Sequence, residues 1–321
     1  MKTAIALFIF NRVDTTEKVF EVIRQVKPPK LLVVADGPRP ERPGEAKKCA
    51  ATRAIIDRID WDCELIQNYS DTNIGCGLRL ATGISWVFEQ VEEAIILEDD
   101  CMPHLSFFQF CEDLLEQYRY DERIMHISAM NPLPNFKTTE YSYYFSRQPM
   151  CWGWASWRRA FRHFDFHMKN WPEMRDKKYL FSILESKRMA RYWTRAFEEM
   201  YNLDKPHLWD YQWVFACWTQ NGLSITPRVN LVSNLGLGHA AATNTTSTET
   251  PYASINVAAI SFPLQHPSLI VRNTEVDILA DNTLRHPTLL VRIQAKIKRI
   301  INKLKCQYIQ KPNPYLSGYK T

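Results

Sequence analysis

The sequence predicts an α/β fold in which a mainly parallel sheet is flanked by helices and followed by a C-terminal helical tail. Three observations carry this. Apolar runs at residues 4–10, 31–35 and 94–97 have the length and composition of strands buried on both faces. Each run ends in polar or acidic residues, at Asn11-Arg12, Asp36-Gly37-Pro38 and Glu98-Asp99-Asp100. The stretches between them carry helical periodicity, and strands alternating with helices pack as right-handed βαβ units.

After the first run, Asp14-Thr15-Thr16-Glu17 has the spacing of a capping box. Val19, Val22, Ile23 and Val26 then recur at helical intervals until Pro28-Pro29 stops the helix. Leu65-Ile66 is a weaker third strand, and Asn73-Ile74-Gly75-Cys76-Gly77-Leu78-Arg79 is a glycine-containing turn feeding a helix to about Gln90. Pro103 breaks the chain after the acidic strand. A helix to about Tyr120 and a strand at 124–128 follow. From 130 to 166 the chain is rich in Pro, Tyr and Trp. A helical region at 176–201 comes next, then a helix opening at Leu208-Trp209-Asp210-Tyr211-Gln212-Trp213, and short strands at 223–226 and 229–232. Gly236-Leu237-Gly238-His239 leads into a Thr/Ser/Asn-rich loop. The expected organisation is residues 1–130 and 131–250 as two halves of one domain, with 251–321 as an extension.

At 321 residues, with 45% hydrophobic and 23% charged residues, the composition is that of an ordinary globular protein. A net charge of +5 does not call for nucleic acid, and no nucleic-acid-binding signature is present. The eight cysteines include no CxxC pair, which argues against a zinc ribbon or a disulfide scaffold. The first apolar segment runs into Asn11-Arg12 without a cleavage site, and no stretch approaches the roughly 20 apolar residues of a membrane span. A cytoplasmic location is therefore expected. From Leu289 to Lys305 one helical face is apolar and the other carries six Lys and Arg. Such a helix either lies on an anionic membrane surface, at 289–305, or packs on the domain with a solvated basic face.

Three adjacent carboxylates at a strand end repel one another. A hard cation such as Mn²⁺ or Mg²⁺ would offset that repulsion, and the bland alternative is a solvated acidic turn. The carboxyl ends of parallel strands are where open α/β sheets bind ligands. The first turn lacks GxGxxG, which disfavours a dinucleotide site. Arg79 suits a phosphate, or is a helix-surface arginine. Asp210, between tryptophans, is either a helix N-cap or a general base.

Read in order, these motifs resemble the GT-A glycosyltransferases, which use nucleotide-activated sugars. The resemblance is closest to N-acetylglucosaminyltransferase I-like enzymes and their bacterial relatives, over roughly residues 5–239. Ile95-Ile96-Leu97-Glu98-Asp99-Asp100 with Pro103 and Phe107-Phe108 is similar to the family's EDD motif and the helix after it. Ile127-Ser128-Ala129-Met130-Asn131 is similar to its next strand. Trp152-Gly153-Trp154 and Trp209-Asp210 are similar to its acceptor-side and catalytic segments.

The resemblance implies that Asp100 ligates a divalent ion, with His239 a second candidate ligand or simply a loop residue. It implies that Asp99 contacts the ribose, Glu98 supports the loop, and Asp36 contacts the base, expected to be uracil. Arg12 and Arg79 would hold the nucleotide. Asp210 would be the base of an inverting transfer to a carbohydrate or glycolipid hydroxyl. Trp152, Trp154 and Trp209 would line the acceptor side, or be core. The expected setting is a bacterial-type enzyme of surface polysaccharide or glycolipid synthesis. The alternatives are a sugar nucleotidyltransferase, which usually needs a glycine-rich loop after the first strand, and a non-catalytic carbohydrate-binding protein.

Overall fold

In a computed structural model of the chain the structure is described at residues 1–133, 136, 138–204, 206–239 and 255–284. It divides into two compact units, Met1–Asp277 and Ile278–Thr321; the second is described only at 278–284, where it is helical. The predicted basic helix at 289–305 lies outside the described residues.

The apolar runs become strands because each is sealed on both faces. The first half comprises β1 (Ala4–Ile9), α1 (Val13–Val26), β2 (Lys30–Ala35), α2 (Glu45–Ala54), β3 (Glu64–Tyr69), α3 (Cys76–Gln90) and β4 (Glu93–Glu98). Next come β5 (Cys101–Pro103), α4 (Ser106–Gln117), β6 (Ile124–Ser128), β7 (Tyr143–Ser146) and β8 (Trp154–Trp157). The remainder is α5 (Arg158–Phe161), α6 (Trp171–Asp176), α7 (Leu180–Ile183), α8 (Lys187–Tyr201), α9 (Asp210–Thr219), β9 (Leu223–Pro227), β10 (Val232–Asn234) and α10 (Thr274–Leu284).

Eight strands form one sheet in the order β3-β2-β1-β4-β8-β6-β9-β7. The β3, β2, β1 and β4 strands are parallel neighbours, as the alternating pattern predicts. The second half is mixed: β8 runs antiparallel to both β4 and β6, β6 and β9 are parallel, and β7 and β9 are antiparallel. Separately, β10 pairs antiparallel with β5. Two apolar layers cover the sheet. One packs α1 and α4 against the residues of β1, β2 and β4 that face one side, such as Ile5, Leu7 and Ile95. The other packs α3, α8 and α9 against the opposite side, including Ala6, Phe8 and Ile96. Residues 255–273 return to the first unit, where Ser142 N–H donates to Gln265 O at 2.8 Å and Asn273 N–H to Phe145 O at 2.8 Å.

Several expectations change at this level. The strand expected at 229–232 forms instead as β10, because its partner β5 is available only past Leu231. The helical region at 176–201 is three helices, with the first starting at Trp171. The capping box does not form: Arg12 is the N-cap of α1 and no side chain caps it. Asp14, in the first turn, faces His239 instead, with Oδ2 and Nε2 3.2 Å apart.

Candidate active site

Parallel pairing sets Phe8 opposite Glu98 and Ile9 opposite Ala35, so β1, β2 and β4 end along one edge. The chain leaves β1 toward Arg12 and β4 toward Asp99-Asp100, and side chains far apart in sequence meet. Arg12 Nη1 lies 2.9 Å from Asp99 Oδ1 and also donates to Asp100 Oδ2. Phe10 N–H donates to Asp99 Oδ2 at 3.2 Å. Both aspartates are buried, as is most of the arginine. Burial pushes the Asp99 carboxyl up to about 7, against the pull of Arg12. Burial, and then Asp100 and Asp99, raise Glu98 well above the usual carboxylate range. The Arg12 guanidinium would be disfavoured by burial, but Asp99 and Asp100 outweigh that and raise its pKa.

Asp210 reaches the same edge from the other side of the chain, near enough to raise Glu98 further. Cys76, at the start of α3, feels Glu98, Arg12 and Asp210 together, after the larger effect of its own burial. A close approach makes this possible. A Cβ on Gly77 would sit 2.2 Å from Pro206 O and 2.9 Å from the His207 carbonyl carbon, so only glycine lets residues 206–208 lie on α3. Gly77→Ala is therefore expected to push this segment away, lowering stability by about 1–3 kcal/mol. It should also reduce turnover, which thermal denaturation and steady-state rates of the purified variant would read. Asp210 is the first residue of α9, Trp209 is the N-cap, and no side chain caps the helix. The capping alternative for Asp210 is thus removed.

The neighbouring loops close over Asp100. Pairing of β5 with β10 brings Leu235 N–H to Asp100 O at 2.7 Å, and a Cβ on Gly236 would meet Asp100 Oδ2 at 2.1 Å. Gly153, with φ +62, lets the chain turn beside Leu97 and carries half-buried Trp152 to this edge. Trp154 and Trp209 differ from the acceptor-side expectation. Trp154 is 1% exposed and stacks on Trp209 (5.6 Å between ring centroids) and on His126 (5.0 Å), so both tryptophans are core. Trp213 donates its indole N–H to His126 Nδ1 at 3.1 Å, leaving His126 Nε2–H to donate to Met150 O at 3.1 Å. Burial holds His126 down at about 3, so this ring is a neutral strut under the site.

Two predicted nucleotide ligands are engaged locally. Asp36 Oδ1 accepts from Gly37 and Ile74 N–H (2.9 and 3.1 Å), and Oδ2 from Gly75 N–H (3.1 Å). The carboxylate therefore fastens the turn before α3 to the end of β2. Arg79, 9% exposed, is no surface arginine: Nε donates to Ala35 O at 3.2 Å and Nη2 to Asn68 Oδ1 at 2.8 Å. Through Nε and Nη2 it ties α3 to β2 and β3. Sequence reading missed Glu45 altogether. Its carboxylate accepts from Asn11 Nδ2 (2.9 Å), Arg39 N–H (2.8 Å) and Arg39 Nε (2.9 Å), and Arg39 holds its carboxyl down to about 2. That network fixes the β1–α1 turn, and only a fold brings residues 11, 39 and 45 together.

Among the described residues no group of three or more His, Cys, Asp or Glu side chains is disposed to hold a metal ion. Asp100 Oδ2 accepts from Arg12, and His239 Nε2 lies 3.2 Å from Asp14 Oδ2. By donor chemistry the edge still fits a hard cation. Glu98, Asp99, Asp100 and Asp210 interact electrostatically, with Arg12 the cation bonded to Asp99 and Asp100. Asp100 is the carboxylate such an ion would take.

No family model matches the sequence, and no curated protein matches it. Solved structures with a similar chain path include mannosyltransferase PcManGT from Pyrobaculum calidifontis, in complex with GDP-Man and Mn²⁺. It is 12% identical, with a TM-score of 0.37, over 68% of this chain and 70% of that one. Mouse xyloside xylosyltransferase 1 is 9% identical, with a TM-score of 0.32, over 67% of this chain and 81% of that one. A 4-diphosphocytidyl-2C-methyl-D-erythritol synthase from Anaerococcus prevotii is 11% identical, with a TM-score of 0.31, over 64% and 86%. The similar chains thus include nucleotide-sugar glycosyltransferases and nucleotidyltransferases, and likeness this distant decides neither chemistry nor substrate.

Proposed function

We propose that the protein is a glycosyltransferase that moves a sugar, with inversion, from a nucleoside-diphosphate donor to a carbohydrate or glycolipid hydroxyl. The observation that carries the proposal is the buried pairing of Arg12 with Asp99 and Asp100 at the carboxyl edge of the parallel strands, where the charge of Asp210 also adds to the rise of Glu98. Donor departure needs positive charge against a growing diphosphate anion, and acceptor attack needs a base on the opposite face of the sugar.

Arg12 holds Asp99 and Asp100 in place and presents a buried guanidinium at the leaving-group end. Asp99 orients the ribose, and Glu98 braces the turn beneath it. A divalent ion taken by Asp100 would supply Lewis acidity to the diphosphate oxygens. Asp210, uncommitted to capping, takes the acceptor proton as the hydroxyl oxygen attacks the anomeric carbon. Trp152 offers an apolar face to a sugar ring, beside a cavity of about 50 Å³ that it shares with Met130, Asn234 and Leu237. A uridine base, a cytoplasmic setting, a product that is surface polysaccharide or glycolipid, and membrane contact through 289–305 complete the reading. Among the described residues no helix is long and apolar enough to cross a membrane.

Metal linkage gives a test that does not need the acceptor. Folded Asp99 titrates at about 7, above the ~3.9 of an unfolded aspartate. Between these values the folded state binds more protons than the unfolded one, so this group's contribution to stability falls as pH rises. A cation competing for those carboxylates acts in the same window. Mn²⁺ is expected to raise Tm more at pH 8 than at pH 5.5, read by thermal shift with and without chelator. An equal shift at both pH values would remove the carboxylates from the metal site. The nucleotidyltransferase alternative is disfavoured by the β1–α1 turn, Phe10-Asn11-Arg12, which has no glycine. Release of nucleoside diphosphate on transfer, rather than exchange of pyrophosphate, separates the two.

A further inference from the structure

Helix α8 carries a charge distribution unlike the rest of the surface. Elsewhere arginines face acids: Arg24 with Asp60, Arg58 with Glu17 and Glu21, Arg119 with Glu93, Arg158 with Glu92. On α8, Lys187, Arg188, Arg191 and Arg195 are exposed, and among the described residues none forms an ion pair. Residues 169–195 contain eight basic and three acidic side chains, a net charge of +5 equal to that of the whole chain. The surface is not purely polar. Arg175, Arg191 and Arg195 line an open groove of about 630 Å³ together with Phe181, Glu198 and Glu199. Phe181 is 41% exposed, and Tyr179, two residues earlier, is 44% exposed.

The opposite face of the helix is firmly anchored. Met189, Trp193, Phe197 and Met200 are buried, and Trp193 packs on Trp218 at 4.7 Å between ring centroids. The cations therefore sit on a helix whose other face is packed into the core. On α8 the four cations outnumber Glu198 and Glu199, and an excess of arginines beside exposed aromatic rings is what an anionic lipid interface attracts: the charges meet headgroup phosphates and the rings enter the boundary below them. Double-stranded nucleic acid would use the charges and leave Phe181 and Tyr179 without a role.

We propose that the α7–α8 face, centred on Arg188, Arg191 and Arg195 with Phe181, docks the protein on an anionic phospholipid surface. Because α8 packs on α9, whose first residue is Asp210, docking here would hold the acceptor side of the site close to the lipid plane.

The test is co-sedimentation of the full chain with vesicles of phosphatidylcholine alone and with 30% phosphatidylglycerol. Binding is expected only to the anionic vesicles and to fade in high salt. Arg188→Gln/Arg191→Gln/Arg195→Gln should lower the partition coefficient about a hundredfold, at about fivefold per charge. Phe181→Ser should weaken it with the charges intact, and circular dichroism should show both variants folded. Each single Arg→Gln change, too small to threaten folding, should give its own fivefold step. An unchanged partition in the single and triple variants would overturn the proposal. So would duplex DNA binding that depends on the same arginines while the vesicles are ignored.

Discussion

Arg12→Ala is expected to destabilise the protein by about 3–5 kcal/mol, because it leaves two buried carboxylates facing each other without their cation. For a chain of this size that is a Tm lower by roughly 10 °C. The sign with pH follows from what Arg12 does now: it pulls the Asp99 carboxyl down toward about 7 from where burial alone would place it. Without it, Asp99 holds its proton to higher pH, so the loss is largest near pH 8 and shrinks as pH falls and Asp99 becomes neutral. Thermal denaturation from pH 5 to pH 8 would measure this. A variant equally destabilised at both ends would mean that Arg12 acts through packing rather than charge. Lysine at this position keeps the charge but not the fork that reaches two carboxylates, and should recover only part of the loss.

Asp210→Asn is expected to lower kcat about a thousandfold while leaving donor affinity unchanged. The amide preserves shape at the first turn of α9 and cannot accept the acceptor proton. Asp210 caps no helix, so the change removes no cap. That separation matters, because a structural aspartate would show its loss in Tm and a base shows it in turnover alone. Asp100→Ala should behave in the opposite way, weakening donor binding before it touches the chemistry.

The fold was largely legible where the physics is local. The β1, β2 and β4 strands are near-continuous apolar runs because both faces of a parallel sheet are covered, and each ends where a polar residue meets the sheet edge. The α9 start at Asp210 was visible too. What stayed hidden depends on partners distant in the chain. Arg79 reads as a phosphate ligand or a helix-surface arginine, and the oxygens of Asn68 and Ala35 that it meets come from two separate strands. Trp154 reads as an acceptor platform until Trp209, Trp213 and His126 close around it. Asp14 has the spacing of a capping box, and His239, 225 residues away, faces it instead. The antiparallel insertion of β8 between β4 and β6 leaves no mark in either strand's own composition, since all three are buried.

The same distinction divides the site. Glu98, Asp99 and Asp100 could be placed on a strand end from one stretch of sequence. Their pairing with Arg12 could not, because it requires β1 and β4 to be neighbours, and chain order alone does not dictate that. Asp36 was placed correctly at the edge, yet the main-chain N–H groups of Gly37, Ile74 and Gly75 that hold it come from two different turns.

The most direct measurement is product analysis after incubation with a panel of UDP, GDP and CMP sugars, Mn²⁺ and a mixture of carbohydrate acceptors. The account predicts free nucleoside diphosphate and a glycosylated acceptor from the wild-type protein. From Asp210→Asn it predicts neither, although that variant still shows a donor-induced rise in Tm. Pyrophosphate exchange without sugar transfer, or undiminished transfer by Asp210→Asn, would contradict it.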